Sequence, residues 1–450
     1  IMAIDDYAIT DFSRDWRKKR FVFAALDVIE DGLDSYRKDN PVFIAEFQGS
    51  WFDNWGGVGY EKIRDFLGTE QLDVATKSAL SQRTSLINYF MFSGGTSWGY
   101  LGSPDVYTSY DMASPVSEWG EKTARYNVLK WLIAEIKNLG EEFMETEPDD
   151  SVRCRPLGVY CRARKAQSGT RYLYLRNMTG KKAEISTSIT KGRIELDKAQ
   201  AAVLVVAKNG TVENTVGPHD NTQGTQAHGH RAQLPALDTW KLSWGSPQIA
   251  VDYDASAWRL IQDEPSWTFD ALGHHYGYGW YRGTFRGRLR SIKVDARHCF
   301  SVFLNGKLIA SKDNFRNTSG VGDDVAQEFD IQLPDSLQLG DLNVITILVE
   351  SLGHNKDFEC DARNPPGIVS LKCRGAKVVW RFRGGLLEGE KGLCPVLPKR
   401  SFNAYKPKAR VNMPHFWEPN EEGIGLYETE IKLDINEQET GELCPVGLVI

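Results

Sequence analysis

Apolar positions follow two different rhythms along this chain, and the change comes near residue 148. Val42-Phe43-Ile44-Ala45 is a short apolar run that stops at Glu46, and it predicts a buried strand over 42–47. Glu70–Gln82 has helical spacing and good helix formers. Leu86–Phe92 predicts a second buried strand, closed by Ser93-Gly94-Gly95. A helix over Glu121–Asn138 would place Tyr126, Leu129, Leu132, Ile133 and Ile136 on one face, with Gly140 as its stop. Strand, loop and helix in repetition is the rhythm of a parallel β/α architecture.

Beyond residue 148 the runs shorten. Residues 171–177, 183–190, 201–207 and 292–297 predict short strands divided by Gly, Asn and Asp. Residues 209–231 are polar and aperiodic, so they predict a loop or linker. From Leu234 onward the pattern is all-β, with strands expected over 280–287, 299–311, 327–333 and 343–350. Asn305-Gly306 between two apolar pairs is the strongest hairpin signal in the chain. Many short strands with turn punctuation suggest a jelly-roll sandwich. The expected division is 1–147 α/β, 148–233 small β-rich domain and linker, 234–390 jelly roll, and 391–450 the start of a further jelly roll.

Composition narrows the function classes. A net charge of -6 does not suggest a nucleic-acid protein, and no apolar run is long enough to span a membrane. None of the seven cysteines stands in a C-x-x-C pair, which argues against a zinc ribbon. No metal or organic cofactor is implied. Glycosylation tripeptides at Asn177, Asn209 and Asn317 leave secretion open. His274-His275 reads as an adjacent pair diverging on a strand, with a structural role. Glu118 and Glu121 read as acidic residues favouring a helix N-terminus.

Glu46 carries the chemistry. It ends an apolar strand and is followed at once by Phe47, Trp51, Phe52, Trp55 and a cluster of glycines. In a β/α barrel, reactive groups sit at the C-terminal ends of strands. A carboxylate in an aromatic pocket suits glycoside hydrolysis, in which it attacks the anomeric carbon while aromatics stack on the sugar. Residues 44–57 (IAEFQGSWFDNWGG), 88–111 (NYFMFSGGTSWGYLGSPDVYTSYD) and 117–130 (SEWGEKTARYNVLK) resemble, in order and spacing, the β-galactosidases of glycoside hydrolase family 35. Weaker likeness to the jelly-roll domains of the large fungal-type members continues after residue 234. The resemblance implies the C-terminal part of a (β/α)8 barrel followed by β-sandwich domains. It implies a retaining enzyme that removes terminal β-galactose, with Glu46 as nucleophile. Tyr89, Trp98 and Tyr110 match positions around the sugar pocket, and Met112 stands where the family has a substrate-contacting Tyr.

The same resemblance marks departures. The family's acid/base Glu lies about a hundred residues before the nucleophile, and only 45 residues precede Glu46. The chain is therefore expected to be N-terminally truncated, inactive alone, and in need of a partner segment carrying the earlier barrel strands. Asn420-Glu421 and Asn436-Glu437 are the available Asn-Glu pairs and sit on expected turns. Ile63 replaces a Cys that fungal members pair in a disulfide, and Ser50 and Ser97 replace a Gly and an Asn. Met112 motivates an alternative sugar specificity of β-glucosaminidase type. Lack of the acid/base motivates a non-catalytic carbohydrate-binding alternative.

Overall fold

The structure, a computed structural model, describes residues 3–36, 41–55, 57–103, 106–218, 237–261, 266–314, 327–354, 365–387, 409–413, 415 and 424–430. Asn317, both Asn-Glu pairs, Cys360, Cys394, Cys444 and most of the expected 391–450 unit lie outside these residues.

Three parallel strands open the chain in the order β1 (Ala3–Asp6), β2 (Val42–Gln48) and β3 (Thr84–Phe90). Helix α1 (Ile29–Asp34) lies between the first two strands, and α2 (Tyr60–Leu67) and α3 (Glu70–Ser81) between the last two. These are two consecutive β/α crossovers, of which the periodicity predicts the second, through α3. The short β1 was not legible in the pattern, because four residues carry too little alternation. Ile44, Phe47, Ile63, Leu67, Val74 and Ala79 form the core between sheet and helices. The opposite face of the sheet is open: Leu86 is 46% exposed, and Ala3, Asp5 and Asn88 are exposed too.

Helix α4 (Ala124–Lys137) starts three residues later than expected. Val116 bridges to Lys122, which holds that segment extended and makes Thr123 the residue before the helix. Glu118 consequently caps nothing. It accepts hydrogen bonds from Thr96 Oγ1 and Ser109 Oγ, both 2.5 Å, and ties together the small hairpin of β4 (Gly95–Thr96) and β5 (Ser109–Tyr110).

A five-stranded antiparallel sheet built on residues 147–216 packs against α3. Buried charges stitch the two parts. Glu30, 3% exposed, accepts from Arg162 and Arg164, and Arg176 bonds both carboxylate oxygens of Asp27. Lys77, 2% exposed, bonds Asp73 and the carbonyls of Ala201 and Gly217. Truncating one member of such a pair strands a buried charge, which costs about 3–5 kcal/mol. Residues 183–190 stop being a strand at Thr187, whose hydroxyl accepts from the backbone N–H groups of Ile189 and Thr190. Cys154 and Cys161 form a disulfide, and Cys299 and Cys373 are free thiols.

Asp6 is a liability in this assembly. Register puts it on the helix side beside Phe47, and it is only 7% exposed. Burial, with the charge of Asp27 added, pushes its carboxyl up to about 6. A carboxyl raised above its unfolded value of 3.8 holds its proton better in the folded state. The folded protein therefore loses stability as pH rises from about 4 through 6. A shift of about two units corresponds to at most ~3 kcal/mol. Asp6→Asn, which mimics the protonated carboxyl, should raise unfolding stability near pH 7.5 by ~1–3 kcal/mol. Urea unfolding of both forms should show that gap closing at pH 4, and a gap independent of pH would refute the assignment.

The second half is a two-layer antiparallel sandwich. A six-stranded sheet, including Tyr278–Arg286, Leu342–Glu350 and Val378–Gly384, faces a four-stranded sheet including Leu289–Arg297 and Gly367–Gly375. Phe285, Ile292, Val294, Val302, Ile345, Ile347 and Ile368 fill the layer between them. Asn305 and Gly306 both have positive φ, 49° and 86°, as the two-residue hairpin requires. His274 and His275 lie in the turn before Tyr278 and not on a strand. His274 Nε2 contacts the Tyr278 carbonyl and His275 Nδ1 contacts Asp270. Among the described residues no group of three His, Cys, Asp or Glu could hold a metal ion, and no helix is long and apolar enough to cross a membrane. Thr239–Gly245 pairs with both Ala409–Asn412 and Ile424–Glu428, so one sheet bridges the boundary expected at 390.

Candidate active site

Glu46 owes its direction to a bulge. Ile4 pairs with Ile44 but Asp5 pairs with Glu46, and Ile87 pairs with Ile44 but Tyr89 with Phe47. Both neighbours step over Ala45, which is the extra residue. Without the bulge, strand alternation would send Glu46 to the helix side with Ile44. With it, Glu46 emerges on the open face beside Phe43, at the level of Asp5, because a bulge re-aims the next side chains along its strand. The Asn88 side chain donates to the Ala45 carbonyl at 2.9 Å and so satisfies the bulged backbone.

A buried polar network fixes the strand end from behind. Gln48, 1% exposed, exchanges hydrogen bonds with the backbone of Ile9: it accepts from the Ile9 N–H at 2.9 Å and donates to the Ile9 carbonyl at 2.5 Å. Gln71 donates to the Gln48 carbonyl, and Arg125 donates to Gln71 Oε1 and to the Gly49 carbonyl. Burial pulls the Arg125 guanidinium down to about 9. Gly49 must be glycine, because a Cβ there would meet the Met91 carbonyl oxygen at 2.5 Å. The Ser50 hydroxyl accepts the Met91 N–H at 3.3 Å.

By pinning Ile9, Gln48 also positions Tyr7. Its hydroxyl donates a short hydrogen bond to Glu46 Oε2. Burial first, then the bond and charge of Glu46, push the phenol well above its ordinary range, so it stays a proton donor. Sequence reasoning missed Tyr7. A tyrosine just past a four-residue strand gives no signal until the register is known. Oε1 has no hydrogen bond from a described residue.

An aromatic wall surrounds the carboxylate. Trp51 meets Tyr7 edge-on at 5.0 Å, and Phe52 lies 5.3 Å from Trp51 and 6.1 Å from Tyr110. Burial and the nearby charge of Glu46 raise the Tyr110 phenol. Asp111 organises the opposite edge: it accepts from Arg64 at 2.5 Å, from the Ala113 N–H at 3.0 Å and from the Glu118 N–H at 2.8 Å.

The residues expected at the sugar pocket divide. Tyr110 and Glu46 come together. Trp98 lies on the loop between β4 and β5 and is 67% exposed, free to form a rim. Tyr89 turns the other way. The register places it on the helix side, its ring packs on Phe47, and its hydroxyl lies 2.8 Å from Thr76 Oγ1. Met112 does not line an open pocket: its side chain is fully buried, its φ is 59°, and its carbonyl anchors the Trp51 N–H. Met112→Tyr should then overpack a closed site. The expected result is a loss of ~1–3 kcal/mol in stability and, in a catalytically active form of the protein, no gain in kcat/KM for any glycoside. A severalfold gain for β-galactosides at unchanged stability would restore Met112 to the pocket.

Residues 2–136 match glycosyl hydrolases family 35, and residues 253–355 match the β-galactosidase second all-β domain. A protein named "Probable beta-galactosidase C" from Aspergillus flavus is 33% identical over 191 residues, 38% of this chain and 19% of that protein. Namesakes from Talaromyces marneffei and Penicillium rubens are 35% identical over 115 residues and 40% over 89, covering 11% and 9% of their own lengths. The chain thus spans about a fifth or less of these curated relatives. A β-glucuronidase structure from Bifidobacterium dentium is 22% identical over 25% of this chain and 19% of its own, with a TM-score of 0.15, a likeness too thin to bear on the fold.

Proposed function

We propose that this chain, whose residues 2–136 match glycosyl hydrolases family 35, carries the nucleophile of a retaining β-galactosidase built on a β/α barrel followed by jelly-roll domains. The observation that carries the reading is the bulge that turns Glu46 onto the open sheet face, with Tyr7 on one oxygen and the other left to attack. Glu46 Oε1 bonds to the anomeric carbon as the glycosidic C–O bond breaks. The leaving oxygen takes a proton from a general acid, and water then cleaves the galactosyl ester. Tyr7 holds the carboxylate in one rotamer and stabilises its charge before attack. Trp51, Phe52 and Tyr110 supply apolar surface for the sugar ring, and Trp98 its rim.

Several features support the reading. Gln48, Gly49 and Arg125 belong to a buried hydrogen-bonded network at the end of the strand that carries Glu46. The named relatives are β-galactosidases, which makes β-galactosides the substrate class to test first. The glucosaminidase alternative rested on Met112 lining the pocket, and its buried side chain removes that motive. The test is a covalent trap. An activated 2-deoxy-2-fluoro-galactoside, applied to the protein in a catalytically active form, should leave a galactosyl adduct on the peptide containing Glu46. An adduct on a different carboxylate, with Glu46 free, overturns the assignment.

A further inference from the structure

The sandwich carries a second concavity of different chemistry, far from Glu46 in sequence. Its volume is about 530 Å³, within the ~300–1,000 Å³ common for small-molecule sites, and Arg288, Arg290, Ser291, Gln332, Arg374 and Gly375 line it. Three adjacent strands build it. Ser291 pairs with Gln332 on one side and Arg374 on the other, so all three project from the outer face of the four-stranded sheet. Leu289 pairs with Gly375 and Ser291 with Arg374, which makes Arg290 the extra residue of a bulge. The bulge keeps Leu289 and Ile292 in the core, both fully buried, while Arg290 and Ser291 go outward together. Gly375 has φ 118°, and a Cβ there would meet the Arg288 carbonyl oxygen at 2.3 Å. That close approach draws Arg374 toward Arg288 and Arg290.

The charges are not balanced locally. Described ion pairs at this end of the sheet join Arg286 to Asp341, Arg288 to Asp335 and Lys293 to Glu328, and none reaches Arg290 or Arg374. The lining holds three guanidiniums and no carboxylate, and of the three only Arg288 has a described ion-pair partner, Asp335. Like charges gathered in one concavity repel, and an anion offsets that repulsion. The planar forks of arginine match carboxylates bidentately. Ser291, 3% exposed, offers a hydroxyl at the floor, and Gln332, held by its bond to Asp330, offers an amide oxygen at the edge. These suit sugar hydroxyls beside the carboxylate. Asp330 bonds Gln332 and Asp335 pairs with Arg288, so acidic groups adjoin the arginines, and a nucleic-acid backbone, with a charge every ~1.7 Å of duplex, fits this short cluster poorly. A chain with one carboxylate per sugar fits it better.

We infer that Arg288, Arg290 and Arg374 form a binding site for a carboxylated saccharide, a uronate unit of an acidic glycan, remote from the nucleophile. The choice of a saccharide rests on the glycoside reading; the charge argument does not. Such a site would hold the protein on an acidic polysaccharide while galactosyl ends are processed elsewhere.

The test uses the 450-residue chain and a hexagalacturonate, titrated by calorimetry at low salt. Binding should weaken at least tenfold in Arg290→Gln/Arg374→Gln, both exposed residues whose replacement leaves the melting curve unchanged. A neutral galacto-oligosaccharide of equal length should not compete. Wild-type-like binding by the double variant, or equal binding of the neutral oligosaccharide, overturns the site. Tighter binding of a single-stranded oligonucleotide, or full competition by inorganic phosphate at equal concentration, overturns the saccharide assignment. Should the covalent trap at Glu46 fail while hexagalacturonate binding still needs these arginines, only the glycosidase reading falls.

Discussion

In a catalytically active form of the protein, Glu46→Gln should keep the fold and lower turnover of β-galactosides by at least ~10³-fold, because an amide cannot form the galactosyl ester. The substitution is close to isosteric. Tyr7 can still donate to the amide oxygen, so the melting temperature should move little. What changes is the reacting atom. The variant should also fail to bind the fluorogalactoside covalently while retaining its reversible affinity. Small external nucleophiles should not restore it, since the amide still fills the space below the anomeric carbon. Glu46→Gly would open that space, and azide or formate should then recover part of the rate with inverted product. Turnover within tenfold of wild type in Glu46→Gln would remove Glu46 from the chemistry altogether.

Glu46 stood out as a candidate because an apolar run ends on it amid aromatics and glycines and because the surrounding motif resembles family 35. Its direction was not legible. The strand 42–47 alternates in a way that assigns Glu46 to the wrong face, and only pairing with both neighbours exposes the bulge at Ala45. Tyr89 fails for the same reason. It lies in the right motif, yet the register alone decides whether its ring meets a sugar or Thr76. Met112 fails because two successive residues with positive φ, Met112 and Ala113, turn the chain tightly and bury a side chain that a sequence alignment would leave exposed. The hairpin at Asn305-Gly306 was read correctly since its conformation is dictated by two residues alone. The sheet joining 239–245 to 409–412 and 424–428 was invisible, because contacts between residues so far apart leave no local period.

The second large effect concerns the 450-residue chain taken by itself, which should show no measurable β-galactosidase turnover. The described sheet has three parallel strands, whereas a closed β/α barrel has eight. Its inner face is open to water at Ala3, Asp5, Leu86 and Asn88, so nothing among the described residues faces Glu46 from across a bound sugar. A general acid must stand there to protonate the departing oxygen, a transfer typically worth ~10²–10⁴-fold. The one described carboxylate that register places level with Glu46 is Asp5, on the adjacent strand ~4.8 Å away. That spacing is near the ~5–5.5 Å of retaining pairs, but the two carboxylates lie side by side on one face. Both would approach the same side of the ring, while the aglycone leaves from the other. On that geometry Asp5 is not expected to protonate the leaving group. Nitrophenyl galactosides supply the discriminating measurement. Nitrophenolate needs little protonation, so a slow burst with a good leaving group and none with a methyl galactoside would locate the defect in the acid. No burst with either would locate it in the open pocket. Robust turnover of both substrates, lost in Asp5→Asn, would show instead that Asp5 is the acid and that three strands suffice.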